Sequence, residues 1–357
     1  MEAMVVKEIL ESFEGKTVLI TGHTGFKGSW MTYLLVQRKV KVIGLSLNPK
    51  TNPSLFNDLN LGRLCTSIVG DINDLNVVTK VVAQYQPDYI FHMAAQPLVR
   101  YSYRNPIETF NTNIIGTANI LEACKSLQKK CCVVCVTTDK VYHNREWVHP
   151  YRENDELGGY DPYSSSKAAA ELIIESYRKS FFQNSNIYIA SARAGNVIGG
   201  GDWSEDRLIP DIIRSVIAKK EVVLRNPNSI RPWQHVLDPI IGYLLLAQKM
   251  ELSGDEYCDS WNFGPSSEDA VDVESVTRSL FKILGEGKLI LTKEVHNPHE
   301  ANILRLDTTK ARLKLGWKSL FESSESIEIT GNWYKAYLKK GKEATDLVNL
   351  DFNLLNR

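Results

Sequence analysis

Short runs of β-branched residues alternate with longer stretches of helical periodicity through the first half of this chain, and no other feature constrains its fold as much. "TVLI" (17–20), "VKVIGL" (40–45), "DYIFH" (88–92), "CVVCVTT" (132–138) and "IYIASA" (187–192) read as strands. Between them, "GSWMTYLLVQRK", "DLNVVTKVVAQY", "NIIGTANILEACKSL" and "SSSKAAAELIIESYRKSF" repeat apolar residues at helical spacing. Strands separated by helices of that length pair in parallel through right-handed crossovers. The expected class is therefore α/β, with a doubly wound parallel sheet.

After about residue 194 the alternation breaks. "GNVIGGGDWSEDRL" and "RNPNSIRPWQHVLDP" are rich in Gly, Pro and Asn with Arg and aromatics interspersed, and read as functional loops. "VDVESVTRSLFKIL" and "TTKARLKLGW" read as helices of a smaller cap. The expected division is 1–193 with 236–264 for a cofactor domain, and 194–235 with 265–357 for an interleaved ligand-binding domain. Lys plus Arg equals Asp plus Glu, 42 each, so no overall field draws nucleic acid or an anionic membrane. No stretch approaches the roughly 20 apolar residues of a membrane span, and "MEAMVVKEILESFEGK" lacks the basic flank of a secretory signal. The six cysteines form no disulfide framework; "CCVVCV" reads as a buried strand in which cysteine is a small hydrophobe, not as a metal site. A reducing cytoplasm is the expected location.

"VLITGHTGFKGSW" places Gly22, Gly25 and Gly28 directly after the first strand and into the first helix. Glycines there permit a tight turn and a close backbone approach, so that a helix N-terminus can meet a pyrophosphate, as in Rossmann-type folds. The spacing is G-x-x-G-x-x-G, which gains weight from its place in a βαβ unit. At the end of the second strand, where an acidic residue often grips the ribose, Ser46 and Asn48 stand instead; Lys50 nearby leaves NADP open beside NAD. Asp71 follows a third strand and is expected at the adenine, and the small Ala94 and Ala95 follow the fourth.

With these pieces come "FHMAAQ", "NIIGT", "TTDKVY", "YSSSK" and "LGW", on which the chain is identified as a member of the extended short-chain dehydrogenase/reductases. Within them it resembles the nucleotide-sugar 4,6-dehydratases, on "NPSLF", "RAGNVIGGGDWSEDRLIPD", "RPWQHVLDP" and "HEANILRLD". The resemblance implies a tightly held NAD, CDP-D-glucose as substrate, and a homodimer joined through helices of the cofactor domain. It also implies a role in deoxysugar synthesis for surface polysaccharide. The cofactor set it suggests is Gly22, Thr24, Gly25, Phe26, Lys27, Ser46, Asp71, Ile72, Ala94, Ala95, Gln96, Asn113 and Thr137, with Tyr163 and Lys167.

Tyr163 and Lys167 lie four apart, on one face of a helix. Oxidising an alcohol needs a base for the hydroxyl proton, and a phenol ionises near pH 10 unless a cation is close. Lys167 is expected to lower the phenol of Tyr163 and to hold the nicotinamide ribose, with Thr138 at the same sugar oxygen. Asp139 and Lys140 suggest more than oxidation. Once C4 of a hexose is a ketone, its C5 proton becomes acidic, and water can be eliminated across C5–C6 by a base and an acid. Asp139 fits the acid if burial raises it, and Lys140 the base if neighbouring charge lowers it. Related dTDP-glucose enzymes carry Glu where Lys140 stands.

At the substrate end, arginine suits a diphosphate because its planar fork makes paired hydrogen bonds. By resemblance Arg231 is the first choice, with Arg207 and Arg225 behind it, and Asn196 meets the phosphates. Gln96, Tyr101, Arg104 and Thr138 are expected to line the sugar pocket. Glu300 faces the nucleobase or the sugar. His92 and His235 read as packed structural histidines. Two other enzyme readings are a UDP-sugar 4-epimerase, which has no use for an Asp-Lys pair, and a UDP-N-acetylhexosamine dehydratase, which can share it. A cofactor-binding sensor without catalysis is the non-enzyme reading.

Overall fold

A computed structural model describes residues 1–224, 226–266, 269, 271–291, 303–339 and 342–356. Seven strands form its central sheet: β1 (Thr17–Thr21), β2 (Lys41–Ser46), β3 (Thr66–Val69), β4 (Tyr89–His92), β5 (Cys131–Val136), β6 (Ile187–Ala194) and β7 (Ser260–Phe263). They run in the order β7-β6-β5-β4-β1-β2-β3, every neighbour parallel. The doubly wound α/β expectation holds. The five strands read from pattern all form; Thr66–Val69 and Ser260–Phe263 extend the sheet at its two edges.

The strand order reverses between β1 and β4, where connections leave toward opposite faces and a crevice opens beyond the carboxyl ends. Its floor is locked by a buried chain. Thr21 Oγ1 accepts the Met93 and Ala94 amides, both at 3.1 Å, so its own proton goes to His92 Nδ1 at 2.8 Å. His92 Nε2 then donates to Thr117 Oγ1 at 3.0 Å. Burial, with Lys167 nearby, pushes His92 down to about 3, so it stays neutral. His92 is structural, as its strand-end position suggested, and His235, fully buried against Trp30 and Phe321, is packed likewise.

Every residue of β5 is buried, the signature of an interior parallel strand. Its three cysteines carry free thiols that burial raises, so they are inert packing groups. Among the described residues no cluster of three or more metal-ligating side chains occurs, and no helix is long and apolar enough to cross a membrane.

Beyond residue 194 the chain adds small two-stranded pairs: Val197–Ile198 with Gln234–His235, Val222–Leu224 with Leu289–Leu291, and Ile230–Arg231 with Val271–Asp272. The long helix Leu237–Ser253 is apolar nearly all round and returns beneath the sheet.

One buried ion pair ties the longest helix, Pro162–Phe181, to the sheet. Glu171 on that helix meets Arg193 of β6 at 2.8 Å, with both side chains 3% exposed or less. Thr137 and Ser191 hydroxyls also donate to Glu171, and Arg193 donates to the Tyr142 hydroxyl at 2.8 Å. Burial alone would raise the Glu171 carboxyl, but Arg193 and the two hydroxyls hold it below its ordinary value. Glu171→Ala strands the guanidinium in the interior, and should destabilise the fold by about 3–5 kcal/mol in chemical denaturation. Because the folded carboxyl is depressed, this stabilisation is present above the unfolded value near 4.5 and is lost as pH falls through the lower folded value. A denaturation series below pH 5 should therefore show a shallower loss in the variant than in the unaltered protein.

Candidate active site

The helix Pro162–Phe181 starts where it does for local reasons. Asp161 caps it, its carboxylate accepting the Ser164 amide at 2.9 Å and the Ser164 hydroxyl at 2.6 Å, and Pro162 occupies the first turn. Gly159 lies so close to Ser164 that any side chain there would overlap the helix backbone. Tyr163 and Lys167 therefore sit one turn apart near a fixed end, both buried, on the face turned to the ends of β5 and β6.

The phenol of Tyr163 is not lowered in the protein itself. Burial pushes it up to about 12, against the pull of Thr138 and the charge of Arg207, while Asp139 and Asp161 add to the rise. Lys167 is not among the leading influences on it. Its ammonium donates to the Val136 carbonyl at 3.2 Å, and burial lowers it to about 8. Burial of both groups opposes the ionised phenol in the protein alone, and Thr138 and Arg207 are the groups that favour it there.

Thr138 and Asp139 follow β5 in a tight turn, Asp139–Val141. Thr138 Oγ1 donates to Asp139 Oδ1 at 2.9 Å and also receives the Lys140 amide at 3.4 Å. Asp139 is 1% exposed, and its Oδ2 has no protein partner among the described residues. Gly195, just past β6, faces the carboxylate so closely that a methyl there would overlap both oxygens. Lys140 is half-buried beside it. Sequence reasoning did not single out Gly195, Gly159, Glu171 or Arg193. A glycine directly after a buried strand was the available signal for Gly195.

The glycine loop has the form a dinucleotide needs. Gly22 has φ +76°, and a Cβ there would lie 2.8 Å from the Ala94 amide nitrogen. Gly25 begins the helix Phe26–Val36 without a side-chain cap, so the amides of its first turn point outward unshared by any side chain. Thr24 Oγ1 bonds Ser46 Oγ and the Leu47 carbonyl, each at 2.8 Å, at the end of β2. Asp71 is exposed after β3 and holds its own turn through the Asn73 amide; Ile72 is buried against Gly116. Ala94 and Ala95 are half-exposed beyond β4. This cradle fits a nicotinamide dinucleotide. Lys27 lies in the same crevice 5.9 Å above the Tyr243 ring; burial, then Arg207 and Lys167, lower it to about 7.

Several expected ligand contacts have structural employment. The Gln96 amide is used within its own loop, by Leu98 and Thr109. Asn113, fully buried in the π-helical turn Asn111–Ile115, ties the Gln96 backbone to Ser166. Thr137 serves Glu171. The Tyr101 hydroxyl donates to Glu108 at 2.7 Å, and Arg104 is exposed on the same short helix. Asn196 is in the left-handed region, φ 45°, directly after Gly195. Arg207 begins the helix Leu208–Ile217 near Tyr163 and Lys27. Arg231 is buried, one bond going to the Ile230 carbonyl. Arg225 and Glu300 lie outside the described residues.

The model of the GDP-mannose 4,6-dehydratase family matches residues 19–330. The chain belongs to that family. Relatives of this chain include the CDP-glucose 4,6-dehydratase of Salmonella typhimurium, 47% identical over 332 residues and 92% of each chain. The dTDP-glucose 4,6-dehydratase of Xanthomonas campestris pv. campestris is 24% identical over 89% of this chain and 93% of its own. Among solved structures, UDP-glucose 4-epimerase of Thermotoga maritima superposes with TM-score 0.77 at 23% identity, covering 90% of this chain and 99% of that one. The Bacillus anthracis dTDP-glucose 4,6-dehydratase in complex with NAD gives 0.75 at 22%, covering 93% and 100%. At such identities these two structures speak to the fold alone. Family members need an acid near the sugar for elimination. Gly195→Ala should push Asp139 out of place and cut product formation about 100-fold; near-normal rates with the methyl in place would show that the carboxylate's position is immaterial.

Proposed function

We propose that this member of the GDP-mannose 4,6-dehydratase family converts CDP-D-glucose to CDP-4-keto-6-deoxy-D-glucose and water. The observation that carries the reading is the 47% identity, over 92% of the chain, to a CDP-glucose 4,6-dehydratase. It is joined by a buried Thr138, Asp139, Tyr163 and Lys167 at one strand end. When bound in the glycine-loop cradle, NAD would take the C4 hydride and give it back at C6.

The chain's own residues then divide the proton work. Tyr163 takes the C4 hydroxyl proton, helped by Thr138 and the charge of Arg207. Lys167, anchored on the Val136 carbonyl, is positioned to orient the nicotinamide ribose. Lys140 takes the C5 proton and returns it there. Asp139 protonates the departing C6 hydroxyl. Arg207, Arg231 and Asn196 are the candidates for the diphosphate. Ser46, engaged with Thr24 in place of an acidic residue, is the ribose-end group of the NAD site. Residues 1–193 and 236–264 form the cofactor part; 194–235 and 265–357 form the nucleotide-sugar part. A cytoplasmic homodimer completes the reading, and exposed Ile107, Ile115 and Leu172 on the cofactor part offer it an apolar face. An epimerase leaves Asp139 without a task, because no water departs in that reaction.

Incubation with CDP-glucose, UDP-glucose and dTDP-glucose tests the substrate: alkaline absorbance of a 4-keto-6-deoxy product is expected with CDP-glucose, whereas conversion of UDP-glucose to UDP-galactose would replace this reading with epimerase. Tyr163→Phe should abolish the first oxidation, seen as absent reduced-nicotinamide absorbance in a single turnover. Lys140→Ala should spare that oxidation and block solvent exchange at C5. Undiminished C5 exchange would assign the proton to another base.

A further inference from the structure

A fully buried amide stands behind the acid. Gln234 is 0% exposed, in the segment "RPWQHV" that also carries Arg231. Its Nε2 gives both protons to carbonyls, Gly195 at 2.9 Å and Phe263 at 3.1 Å. Ala194 and Phe263 are the last register pair of β6 with β7, so the amide clamps the two strand ends just beyond their ladder. The Gln234 backbone N–H also donates to the Asn196 carbonyl, at 3.3 Å. One residue thus holds two consecutive carbonyls across the turn where Asn196 takes φ 45°. Among the described residues its Oε1 has no partner, so the donors are what the fold employs. An apolar side chain of that size would bury at less cost.

Gly195 is the part of that turn which meets the acid. A Cβ there would fall 1.9 Å from Asp139 Oδ2 and 2.7 Å from Oδ1, so its Cα lies against the carboxylate. The other restraint is local: the Thr138 hydroxyl donates to Oδ1 at 2.9 Å. Thr138 is next to Asp139 in the chain and moves with it. Gly195 is a wall brought from a distant segment, and Gln234 keeps that wall in place.

Resting on the dehydratase reading, the geometry points to Gln234 as a positioning residue: through Gly195 it holds Asp139 at a fixed reach from the segment that takes the diphosphate. A sugar nucleotide gripped by its diphosphate presents C6 at a distance set by its own bonds. The acid must already stand there, since a displacement of about 1 Å can slow a reaction about 100-fold. Gln234 lies three residues from Arg231, so the clamp refers the acid to the ligand's anchor. No proton passes through the amide; both N–H groups stay on their carbonyls throughout.

The test uses the holoenzyme with saturating CDP-glucose and with its 6-deoxy-6-fluoro analogue, whose fluoride departs without taking a proton. Gln234→Met keeps the length of the side chain and removes both donors. Elimination of water should fall about 30-fold, while C4 oxidation in a single turnover is spared, so that reduced-nicotinamide absorbance builds up. Fluoride release should keep its unaltered rate. With Asp139→Asn already in place, adding Gln234→Met should slow elimination no further, because both changes act on one group. If the two leaving groups slow alike, the glutamine serves the fold in general and the proposal fails. It fails too if water elimination is unchanged, or if the two substitutions multiply.

A second measurement needs neither turnover nor a change at Gln234. In protein carrying isotope-labelled glutamine, the two side-chain amide protons should exchange slowly with solvent, and Gly195→Ala should shift their signals. Should Gln234→Met fail to fold, this decides: an amide that exchanges freely, or ignores the methyl, excludes the clamp. If the unaltered protein produces neither reduced nicotinamide nor fluoride, the dehydratase reading itself falls. If it produces both and Gln234→Met does not separate the two leaving groups, only the clamp does.

Discussion

The buried Glu171–Arg193 ion pair is the constraint on which the site depends. Glu171 belongs to the helix that carries Tyr163 and Lys167, and Arg193 to β6, whose end holds Gly195 against Asp139. Through Thr137 the same carboxylate grips the end of β5, one residue before Thr138. Through Arg193 it reaches Tyr142, and through Tyr142 the Asn262 side chain on β7. Three strands and one helix are thus referred to a single buried charge pair. Such a pair adds little net stability, because desolvation offsets its Coulomb energy. Moving the helix against the strand ends would part the pair and leave both charges buried without a partner, which is costly.

Burial has a consequence for the chemistry. It raises the phenol of Tyr163 and lowers the amines of Lys167 and Lys27, because each ion is poorly solvated in the crevice. In the protein alone the site therefore opposes the ionised phenol that alcohol oxidation needs. Positive charge brought by a bound nicotinamide would act in the opposite sense and favour the ionised phenol. The same desolvation makes the hydrogen bond from Thr138 to Asp139 worth more.

A good part of this was legible in the chain. The "TVLI", "DYIFH" and "CVVCVTT" runs form strands because apolar β-branched segments of that length, flanked by glycine and helical periods, have few other ways to bury themselves. The glycine loop landed after β1, and "YSSSK" on a helix, for equally local reasons: a positive φ at Gly22 and a Pro162 start behind an Asp161 cap. Less legible was which polar residues face the crevice. Gln96 and Asn113 lie in the right motifs, yet their amides are consumed in fixing the loop and the π-helical turn. Whether an amide meets a ligand or its own backbone depends on a rotation of about one side chain, which no spacing rule encodes.

The sequence by itself determined the alternation of strands and helices, the glycines at the first turn, and the four-residue spacing that stacks Tyr163 over Lys167, since each follows from propensity and period within a short window. Only the tertiary structure decided the company these groups keep: Gly195 pressed on Asp139, Arg207 acting on a phenol forty-odd residues away in the chain, and Lys167 turned to the Val136 carbonyl. Those contacts join segments far apart in sequence, and their energies are set by desolvation, which exists only once the sheet and its helices have closed around them.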